Sequence, residues 1–418
     1  MHVVTHRVWI VRTLAAVVVL IVAVGLFNLL VDPYDLYRLV KVPGINANKA
    51  AATHQERLAK PLQVRFFKPH GLALGSSRVA VGIDPQHPGW DPLAAPVFNY
   101  ALTSATIAEL AARLEEAARV TSLRQVVAGL DFFMFNAYNP ETGWRESEQA
   151  SLSWPVATLL TSPALVDSWE TLRKQDAKTN PGVLANGQVG RTFNLRRVAR
   201  YGHRKGFENY ERMFFEGSLF PPPAREYGFA DKATGKRSFD SFQKLLEVTR
   251  QKNIDLHLFI SPVHARMLEV YRQANLWEIF EEWKRQLVAA VEAHNARYPG
   301  GKPVQLWDFS GINSITTEPV PPAGDRQAAM RWYWEASHYK AETGDLILDR
   351  IFACRRDGSM LPDDFGVMLT RDNLEPHLVE NRAAQAQWRR QNPQDVAEIE
   401  ANGRESAWRG EKYRLVSR

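Results

Sequence analysis

Two short motifs, far apart in the chain, carry residue types that can do nucleophilic chemistry on a carbonyl. The first is Gly75-Ser76-Ser77, which directly follows the apolar run Leu72-Ala73-Leu74. An apolar run that ends in glycine and serine is typical of a buried parallel strand and the loop after it. Ligands of open α/β sheets bind just beyond such strand ends, where a serine can aim its own backbone N–H at a developing oxyanion. Glycine and serine are also common in ordinary turns, and this motif alone favours the turn.

The second motif is Glu335-x-x-His338, which precedes an apolar pattern with helical spacing over Gly344 to Phe352. A carboxylate three residues before a histidine can orient the imidazole and stabilise its positive charge. That histidine can then accept a proton from a serine on a neighbouring strand end. Only the fold can bring two such distant motifs together, so their spacing suggests this arrangement without proving it. Asp308, at the end of another apolar segment, is an alternative acid for the histidine.

Together the two motifs resemble conserved blocks of the SGNH (GDSL-like) hydrolases. Gly75-Ser76-Ser77 is similar to their Gly-Asp-Ser nucleophile block, and Glu335-x-x-His338 is similar to their closing Asp-x-x-His block. The likeness extends to membrane-anchored members that carry Gly-Ser-Ser, namely the periplasmic polysaccharide (alginate) O-acetylation proteins and the D-alanyl transfer protein of teichoic acid systems. Aligning the glycines makes Ser77, rather than Ser76, the counterpart of the nucleophile. The blocks lie in order between about Gly71 and Phe352.

This resemblance implies an α/β fold in three layers, with a parallel sheet flanked by helices, and acyl-ester chemistry. Ser77 would attack the acyl carbonyl, His338 would act as general base and then acid, and Glu335 would orient His338. The implied activity is an O-acetyltransferase or O-acetylesterase that works on a cell-envelope or secreted polysaccharide through an acyl-serine intermediate. The family likeness also implies a multi-pass membrane acyltransferase as a possible partner.

The sequence departs from the family pattern at two further blocks. Gly129-Leu130-Asp131 stands where the family has Gly-x-Asn-Asp, and Asn99-Tyr100-Ala101 stands where it has Asn-x-Gly. Asp131, Asn99 and the backbone N–H of Ala101 are therefore tentative oxyanion or substrate residues. The missing elements motivate an alternative function, a non-catalytic subunit that binds polysaccharide or scaffolds an acyltransferase complex.

Other candidate sites are weaker. His264, just beyond the predicted strand Asp255 to Ile260, could line the site, although a lone histidine is more often a surface or packing residue. The histidines lack metal-ligand spacing and Cys354 is the only cysteine, so the sequence predicts neither a metal site nor a cofactor. It also lacks a Gly-x-Ser-x-Gly elbow, a P-loop and any nucleic-acid motif.

Alternating apolar and amphipathic segments predict the α/β domain over residues 70–354, with strands joined by helices and an insertion at about 139–236. The insertion, rich in proline and asparagine, could cover the site as a lid or substrate platform. It also contains a basic run, which is a solvated face or, in a sharper interpretation, a groove for an anionic substrate. The run consists of Arg191, Arg196, Arg197, Arg200, Arg204 and Lys205. Residues 355–418 form a charged extension with one predicted helix from Glu375 to Glu400, which could pack on the domain or bind a partner.

The N-terminus predicts a membrane anchor. Basic residues in 1–12 precede an uncharged run from Thr13 to Val31, close to the length that crosses a bilayer. The basic flank favours a cytoplasmic N-terminus, and the run lacks the small-residue site of a cleaved signal peptide, its rival. Residues 32–69 read as a polar connector. The bulk of the chain would then lie in the periplasm, attached to the bacterial inner membrane by a single span.

The net charge of +6 could help to hold an acidic polysaccharide or anionic lipid, but an ordinary surface has a similar excess.

This topology can be tested with reporter fusions after Tyr34. We expect alkaline phosphatase to be active at this position and β-galactosidase to be inactive, because the basic flank keeps the N-terminus inside the cell. A shortened soluble protein released from membranes would instead show that the apolar run is a cleaved signal.

Overall fold

A six-stranded, mostly parallel β-sheet brings the two motifs to one edge. The computed structural model describes residues 2–140, 155–176, 178, 180, 182–354, 356, 358 and 360–416. The strands lie in the order β2-β1-β3-β4-β5-β6, and only β6 runs antiparallel to its neighbour. They are β1 (Gly71–Leu74), β2 (Val97–Asn99), β3 (Gln125–Leu130), β4 (Asp255–Ile260), β5 (Gln305–Asp308) and β6 (Val367–Met368). The predicted α/β class with a parallel sheet is confirmed, and β6 was not predicted.

Thirteen α-helices occur in the described residues. They are α1 (His2–Val31), α2 (Glu56–Phe67), α3 (Ser77–Gly82), α4 (Ile107–Val120), α5 (Ser162–Arg173), α6 (Leu195–Tyr201), α7 (His203–Met213), α8 (Ser238–Gln251), α9 (Ala265–Gln273), α10 (Trp277–Arg297), α11 (Ala341–Ile351), α12 (Arg371–Gln391) and α13 (Pro393–Val416). The sequence predicts one long helix from Arg266 to about Ala296, but the structure has two, because Asn275 adopts a positive φ of 57° between α9 and α10.

The strand register places the polar residues that follow β1 and β3 at the same sheet edge. Leu74 pairs with Ala128, and Leu130 pairs with Ile260. Every residue of β1 and β3 is buried, which explains why both segments read as continuous apolar runs. The chain turns sharply after β1 at Gly75, where a Cβ would lie 2.3 Å from Cγ2 of Val79. Glycine is therefore required immediately before the two serines.

The short helix α3, which begins at Ser77, lies against α11, which follows His338. A Cβ on Gly344 of α11 would lie 1.8 Å from the carbonyl oxygen of Gly82 in α3. This backbone contact allows the two helices to approach more closely than any larger side chain would permit. The spacing between the serine motif and the histidine motif thus depends on a glycine that neither motif contains.

The chain separates into two compact units. The described residues of Met1–Phe67 and Gly143–Ala185 form one unit, and those of Lys68–Thr142 and Asn186–Arg418 form the other. The predicted insertion at 139–236 is thus divided between the units: its first part folds with the N-terminal helix and its second part with the sheet. Part of the predicted lid, residues 141–154, lies outside the described residues.

The N-terminal unit is built around the end of α1. This helix includes an apolar stretch, His6–Val31, that is long and apolar enough to cross a membrane. The segment predicted as a polar connector folds back onto α1 and contains α2. The Asn46 amide donates to the carbonyl of Leu30 at 2.8 Å, and the Lys49 ammonium donates to that of Val31 at 2.9 Å. These side chains satisfy carbonyls that a helix end leaves without intrahelical partners.

The C-terminal extension packs on the second unit as two helices rather than the single predicted one, with Pro393 beginning the second. The buried Arg266 guanidinium of α9 bonds Glu211 of α7 at 2.6 Å and Asp395 of α13 at 2.6 Å. Glu398 lies 2.8 Å from the same guanidinium. This ion-pair network joins the C-terminal helix to α7, which contacts the candidate site described below.

The contact between Gly82 and Gly344 predicts a large effect of Gly344→Ala. We expect this variant to lose about 1–3 kcal/mol of unfolding free energy, because the added methyl group must push α3 and α11 apart. Urea unfolding followed by tryptophan fluorescence measures the change.

Gly217→Ala is the matched control, since a Cβ there meets nothing within 4 Å. It should change the free energy by no more than about 0.5 kcal/mol. Equal stabilities of the two variants would contradict the proposed role of the glycine contact.

Candidate active site

The structure brings Ser77, His338 and Glu335 into one hydrogen-bonded chain. The Ser77 hydroxyl lies 2.8 Å from Nε2 of His338, and Nδ1 of the same ring bonds Oε1 of Glu335. A carboxylate only accepts hydrogen bonds, so in the neutral ring Nδ1 carries the proton and Nε2 has the free lone pair. His338 can therefore accept the hydroxyl proton of Ser77, which is the geometry that an activated serine needs.

The Glu335 carboxylate also shapes the loop that holds the histidine. It accepts the backbone N–H of Ser337 at 2.7 Å and that of His338 at 3.0 Å. Ser337 and His338 are buried, and Glu335 is almost completely buried. One carboxylate thus caps the turn and also reaches the ring. The Glu335 carboxylate therefore fixes both the loop of residues 335–338 and the orientation of the His338 ring.

The two adjacent serines have different surroundings. The Ser76 hydroxyl is fully buried, donates to Oδ2 of Asp131 at 2.5 Å and accepts the backbone N–H of Arg78. Ser76 is thus the N-cap of α3, a structural role. Ser77, at the first position of the helix, is partly exposed and faces His338. The geometry supports Ser77 as the candidate nucleophile over its neighbour.

A buried arginine connects the elements that carry these groups. Arg78 donates to Oδ1 of Asp131 at 2.6 Å, and two of its nitrogens lie 3.0 and 3.1 Å from the Ser337 hydroxyl. Burial disfavours a charged guanidinium, but Asp131 and Tyr271 together outweigh this effect and raise the pKa of Arg78. Asp131 is therefore an ion-pair partner that positions α3 and the histidine loop. No sequence motif marked Arg78 as a site residue, although it directly follows the two serines.

The tentative oxyanion residues Asn99 and Ala101 are bonded to the protein itself. The Asn99 amide nitrogen donates to the carbonyls of Val79 and Ile83, each at 2.9 Å, and so holds the last turn of α3. Its oxygen accepts the backbone N–H of Ala101 at 3.2 Å. The Ala101 N–H is therefore already engaged, and both residues act here to support the helix that begins at Ser77.

His264 has a packing role. Its Nε2 donates to the carbonyl of Glu318 at 2.7 Å, and its Nδ1 accepts the backbone N–H of Arg266, so neither nitrogen is available to a substrate. Burial lowers the pKa of this imidazole to about 4 and keeps it neutral. Its ring makes edge contacts with Phe207 and Tyr333. These contacts fit the interpretation of His264 as a packing residue, which the sequence left open.

Asp308, the alternative acid for His338, contacts other side chains instead. Its carboxylate lies 2.7 Å from the Lys284 ammonium and 2.9 Å from Nε2 of His377. Although burial favours the neutral acid, Lys284 and His377 hold the pKa of Asp308 well below its usual range. Glu335 is thus the carboxylate that contacts His338.

Two aromatic residues of the predicted insertion flank the histidine. The rings of Phe193 and Tyr210 each lie 5.2 Å from the His338 ring, and the Tyr210 contact is edge-on. Burial, together with the nearby Glu335 carboxylate, raises the pKa of Tyr210, so its hydroxyl stays protonated. No sequence motif pointed to either residue, because an aromatic side chain in an irregular segment has no characteristic spacing.

The basic run in the predicted insertion is used partly for internal ion pairs. Arg191 lies 2.9 Å from Asp84, and Arg204 bonds both Asp395 and Glu398. The remaining arginines, Arg196, Arg197 and Arg200, belong to α6 and are exposed. Arg191 and Arg204 thus form ion pairs within the fold, while α6 presents positive charge directly after Phe193.

One group in the described residues has side chains close enough to resemble metal ligands. His54, Asp167 and Glu170 have ligand atoms within 4.8 Å of one another. Asp167 accepts the Tyr34 hydroxyl at 2.8 Å and also bonds His54 at 2.9 Å, while Glu170 pairs with Lys174. These carboxylates have protein partners, so their contacts are accounted for without a cation. The group belongs to the N-terminal unit and not to the serine–histidine site.

A scan of the sequence against models of known protein families finds no match, and a search of curated proteins finds none either. Membership of the SGNH superfamily therefore remains a hypothesis that depends on the two motifs and their geometry.

The buried ion pair between Arg78 and Asp131 predicts non-additive mutations. Arg78→Met should cost about 3–5 kcal/mol of unfolding free energy, because it leaves the Asp131 carboxylate buried without its cation. The double variant with Asp131→Asn should be more stable than Arg78→Met alone, since no uncompensated charge remains. Urea unfolding of both variants measures the two effects. A cost below about 1 kcal/mol for Arg78→Met would contradict this role of the ion pair.

Proposed function

We propose that this chain is a membrane-anchored, SGNH-like enzyme that transfers or hydrolyses acyl esters, with Ser77 as the nucleophile. The observation that carries the proposal is the contact of the Ser77 hydroxyl with His338, whose opposite nitrogen bonds the buried Glu335. The two motifs come together although the sequence separates them widely. The position of Ser77 after the first parallel strand of the sheet also fits the three-layer arrangement of SGNH domains, which is part of the proposal.

In the proposed first half-reaction, Ser77 Oγ attacks the carbonyl carbon of an acyl ester while His338 Nε2 accepts the hydroxyl proton. The imidazolium that forms is stabilised by the Glu335 carboxylate. The tetrahedral oxyanion would be stabilised by the backbone N–H of Ser77, since the N–H of Ala101 is engaged by Asn99. His338 then donates its proton to the departing alcohol oxygen, and an acyl-Ser77 ester remains.

The second half-reaction transfers the acyl group from Ser77 to water or to a sugar hydroxyl. His338 Nε2 removes a proton from the acceptor oxygen as that oxygen attacks the acyl carbon. Collapse of the second tetrahedral intermediate breaks the bond from the acyl carbon to Ser77 Oγ, which takes this proton from His338 and becomes a free hydroxyl again. The rings of Phe193 and Tyr210 beside His338 support transfer to a sugar, because apolar walls restrict water near the acyl-enzyme. An O-acetyltransferase that modifies an envelope or secreted polysaccharide is therefore preferred to an esterase.

The setting of this reaction is also proposed. The apolar stretch of α1 would cross the bacterial inner membrane and leave both compact units in the periplasm. The exposed arginines of α6 would favour an anionic glycan near the site. A multi-pass membrane acyltransferase would supply the acyl group, since a periplasmic domain has no access to cytoplasmic acyl donors.

A non-catalytic role in binding polysaccharide or scaffolding an acyltransferase complex is the second candidate. It is favoured by one specific observation, the engagement of the Ala101 N–H by the Asn99 side chain. This contact leaves the proposed oxyanion hole with fewer donors than the SGNH pattern provides. The reactivity of Ser77 distinguishes the two functions.

The serine assignment predicts that a fluorophosphonate labels Ser77 in the full-length protein in detergent and that the protein cleaves a chromogenic acetyl ester. Ser77→Ala should abolish both labelling and turnover. Ser76→Ala is the matched control: it should keep both, but lose about 1 kcal/mol of stability because it removes the N-cap of α3. Peptide mass spectrometry identifies the labelled residue. If a folded wild-type protein shows neither labelling nor turnover, the scaffold function is favoured instead.

The histidine–glutamate pair predicts a graded series of activities. His338→Ala should reduce ester turnover by about 10²–10⁴-fold, because it removes the general base. Glu335→Gln should cost less than His338→Ala, and Glu335→Asp should retain more activity than Glu335→Gln because it keeps the charge. Asp308→Asn is the control that should leave the Ser77 reaction intact in the folded protein. A fully active Glu335→Gln variant would refute the role of Glu335 in orienting the ring.

A further inference from the structure

The helix α5 of the N-terminal unit has a mostly polar buried face and a largely apolar exposed face. Its buried face carries Asp167, Ser168 and Thr171 together with the small apolar residue Ala164. Its exposed face carries Leu165, Val166 and Trp169, with Val166 63% and Trp169 60% exposed, and ends in the exposed Arg173. A surface helix of a water-soluble protein shows the opposite pattern, with apolar side chains toward the core. The exposed face of α5 is therefore suited to an apolar surrounding.

The inward polar face explains why the helix adopts this orientation. The Asp167 carboxylate accepts the Tyr34 hydroxyl at 2.8 Å and also bonds His54 at 2.9 Å. These contacts hold α5 against the segment that follows α1. Rotating the helix to bury Trp169 would expose this carboxylate and break both bonds. The apolar face is thus held outward by specific polar contacts on the other side.

The start of α5 lies beside the apolar part of α1. A Cβ on Gly25 would be 3.2 Å from a methyl group of Leu160, and the buried Asn28 amide donates to the carbonyl of Leu159 at 2.7 Å. At a rise of ~1.5 Å per residue, Gly25 lies about 9 Å before the end of α1. The turn that leads into α5 is therefore level with the final part of the apolar stretch and not beyond it.

A second exposed apolar segment is attached to the same end of α1. Leu39, Val40, Val42 and Ile45 are all exposed, and Lys41 lies among them. The loop is fixed by Asn46, whose amide nitrogen donates to Leu30 and whose oxygen accepts the Val42 N–H at 2.8 Å. Apolar side chains with an adjacent lysine are typical of segments at the boundary between acyl chains and headgroups.

We propose that the exposed face of α5, together with the loop from Leu39 to Ile45, inserts into the outer leaflet of the membrane that α1 crosses. The N-terminal unit is then a membrane-embedded platform and not a flexible tether. The partner is the lipid bilayer, because the exposed Leu160, just before α5, lies against Gly25 in the apolar stretch of α1 and so places the apolar face of α5 beside that stretch. Trp169 has the amphipathic ring that favours the interface. This inference depends on the anchor of the proposed function but not on chemistry at Ser77.

The platform can be tested by spin labelling of the full-length chain in vesicles of phosphatidylethanolamine and phosphatidylglycerol. In a Cys354→Ser background, a cysteine is introduced by Val166→Cys on α5. Val379→Cys on α12 is the matched control, because Val379 is also a helical valine and is 54% exposed. Val18→Cys, at an exposed position of α1, reports on the anchor itself. Collision of each label with oxygen and with a water-soluble nickel chelate is measured by electron paramagnetic resonance.

We expect the Val166 and Val18 labels to collide preferentially with oxygen and the Val379 label with the nickel chelate. A Val166 label that collides with nickel as often as the Val379 label, while Val18 remains in lipid, would overturn the platform and leave the anchor intact. A Val166 label shielded from both reagents would mean that protein, such as a second copy of the chain, covers α5, and this too would overturn the proposal. A Val18 label exposed to nickel would refute the anchor itself.

Discussion

The candidate site depends on one buried charge, the guanidinium of Arg78. It lies in the first turn of α3, directly after the candidate nucleophile, and bonds Asp131 after β3 and Ser337 in the histidine loop. A buried guanidinium is stable only where anionic and polar partners surround it, so these three parts of the chain must meet for the fold to form. The serine and the histidine are then brought within hydrogen-bond distance by a contact that involves neither of their reactive atoms.

Three further contacts help to fix the relative positions of the serine and histidine motifs. The contact between Gly82 and Gly344 sets the approach of α3 to α11, and the Asn99 amide holds the last turn of α3. The Glu335 carboxylate caps its own loop as well as bonding the ring. Each of these groups fixes a backbone segment, and the reactive side chains follow from that placement. This is the support that a preorganised site requires, since catalytic groups must be held close to their productive geometry.

The division of the predicted insertion gives the two halves different physical roles. Its second half places Phe193 and Tyr210 against His338, where they can limit access of water to the site. Its first half folds with the N-terminal helix and contributes α5, whose apolar side chains face outward. One stretch of sequence thus serves the candidate site with one part and the proposed membrane platform with the other. The boundary near Ala185 separates the two roles.

The sequence alone determined the elements whose signal is local. Buried strands such as β1 and β3 read as apolar runs because both of their faces are covered, and the amphipathic spacing of residues 238–251 predicts the helix α8. The serine and histidine motifs could be found because their chemistry lies within a few residues.

Tertiary structure decided what depends on long-range contacts. The sequence left Asp308 open as an alternative to Glu335, and only the fold shows that Lys284 and His377 occupy Asp308. It likewise could not show that Asn99 engages the Ala101 N–H, that Phe193 and Tyr210 flank the histidine, or that α5 faces outward. In each case a side chain acquires its role from partners distant in the chain, and no local pattern records which partner the fold will supply.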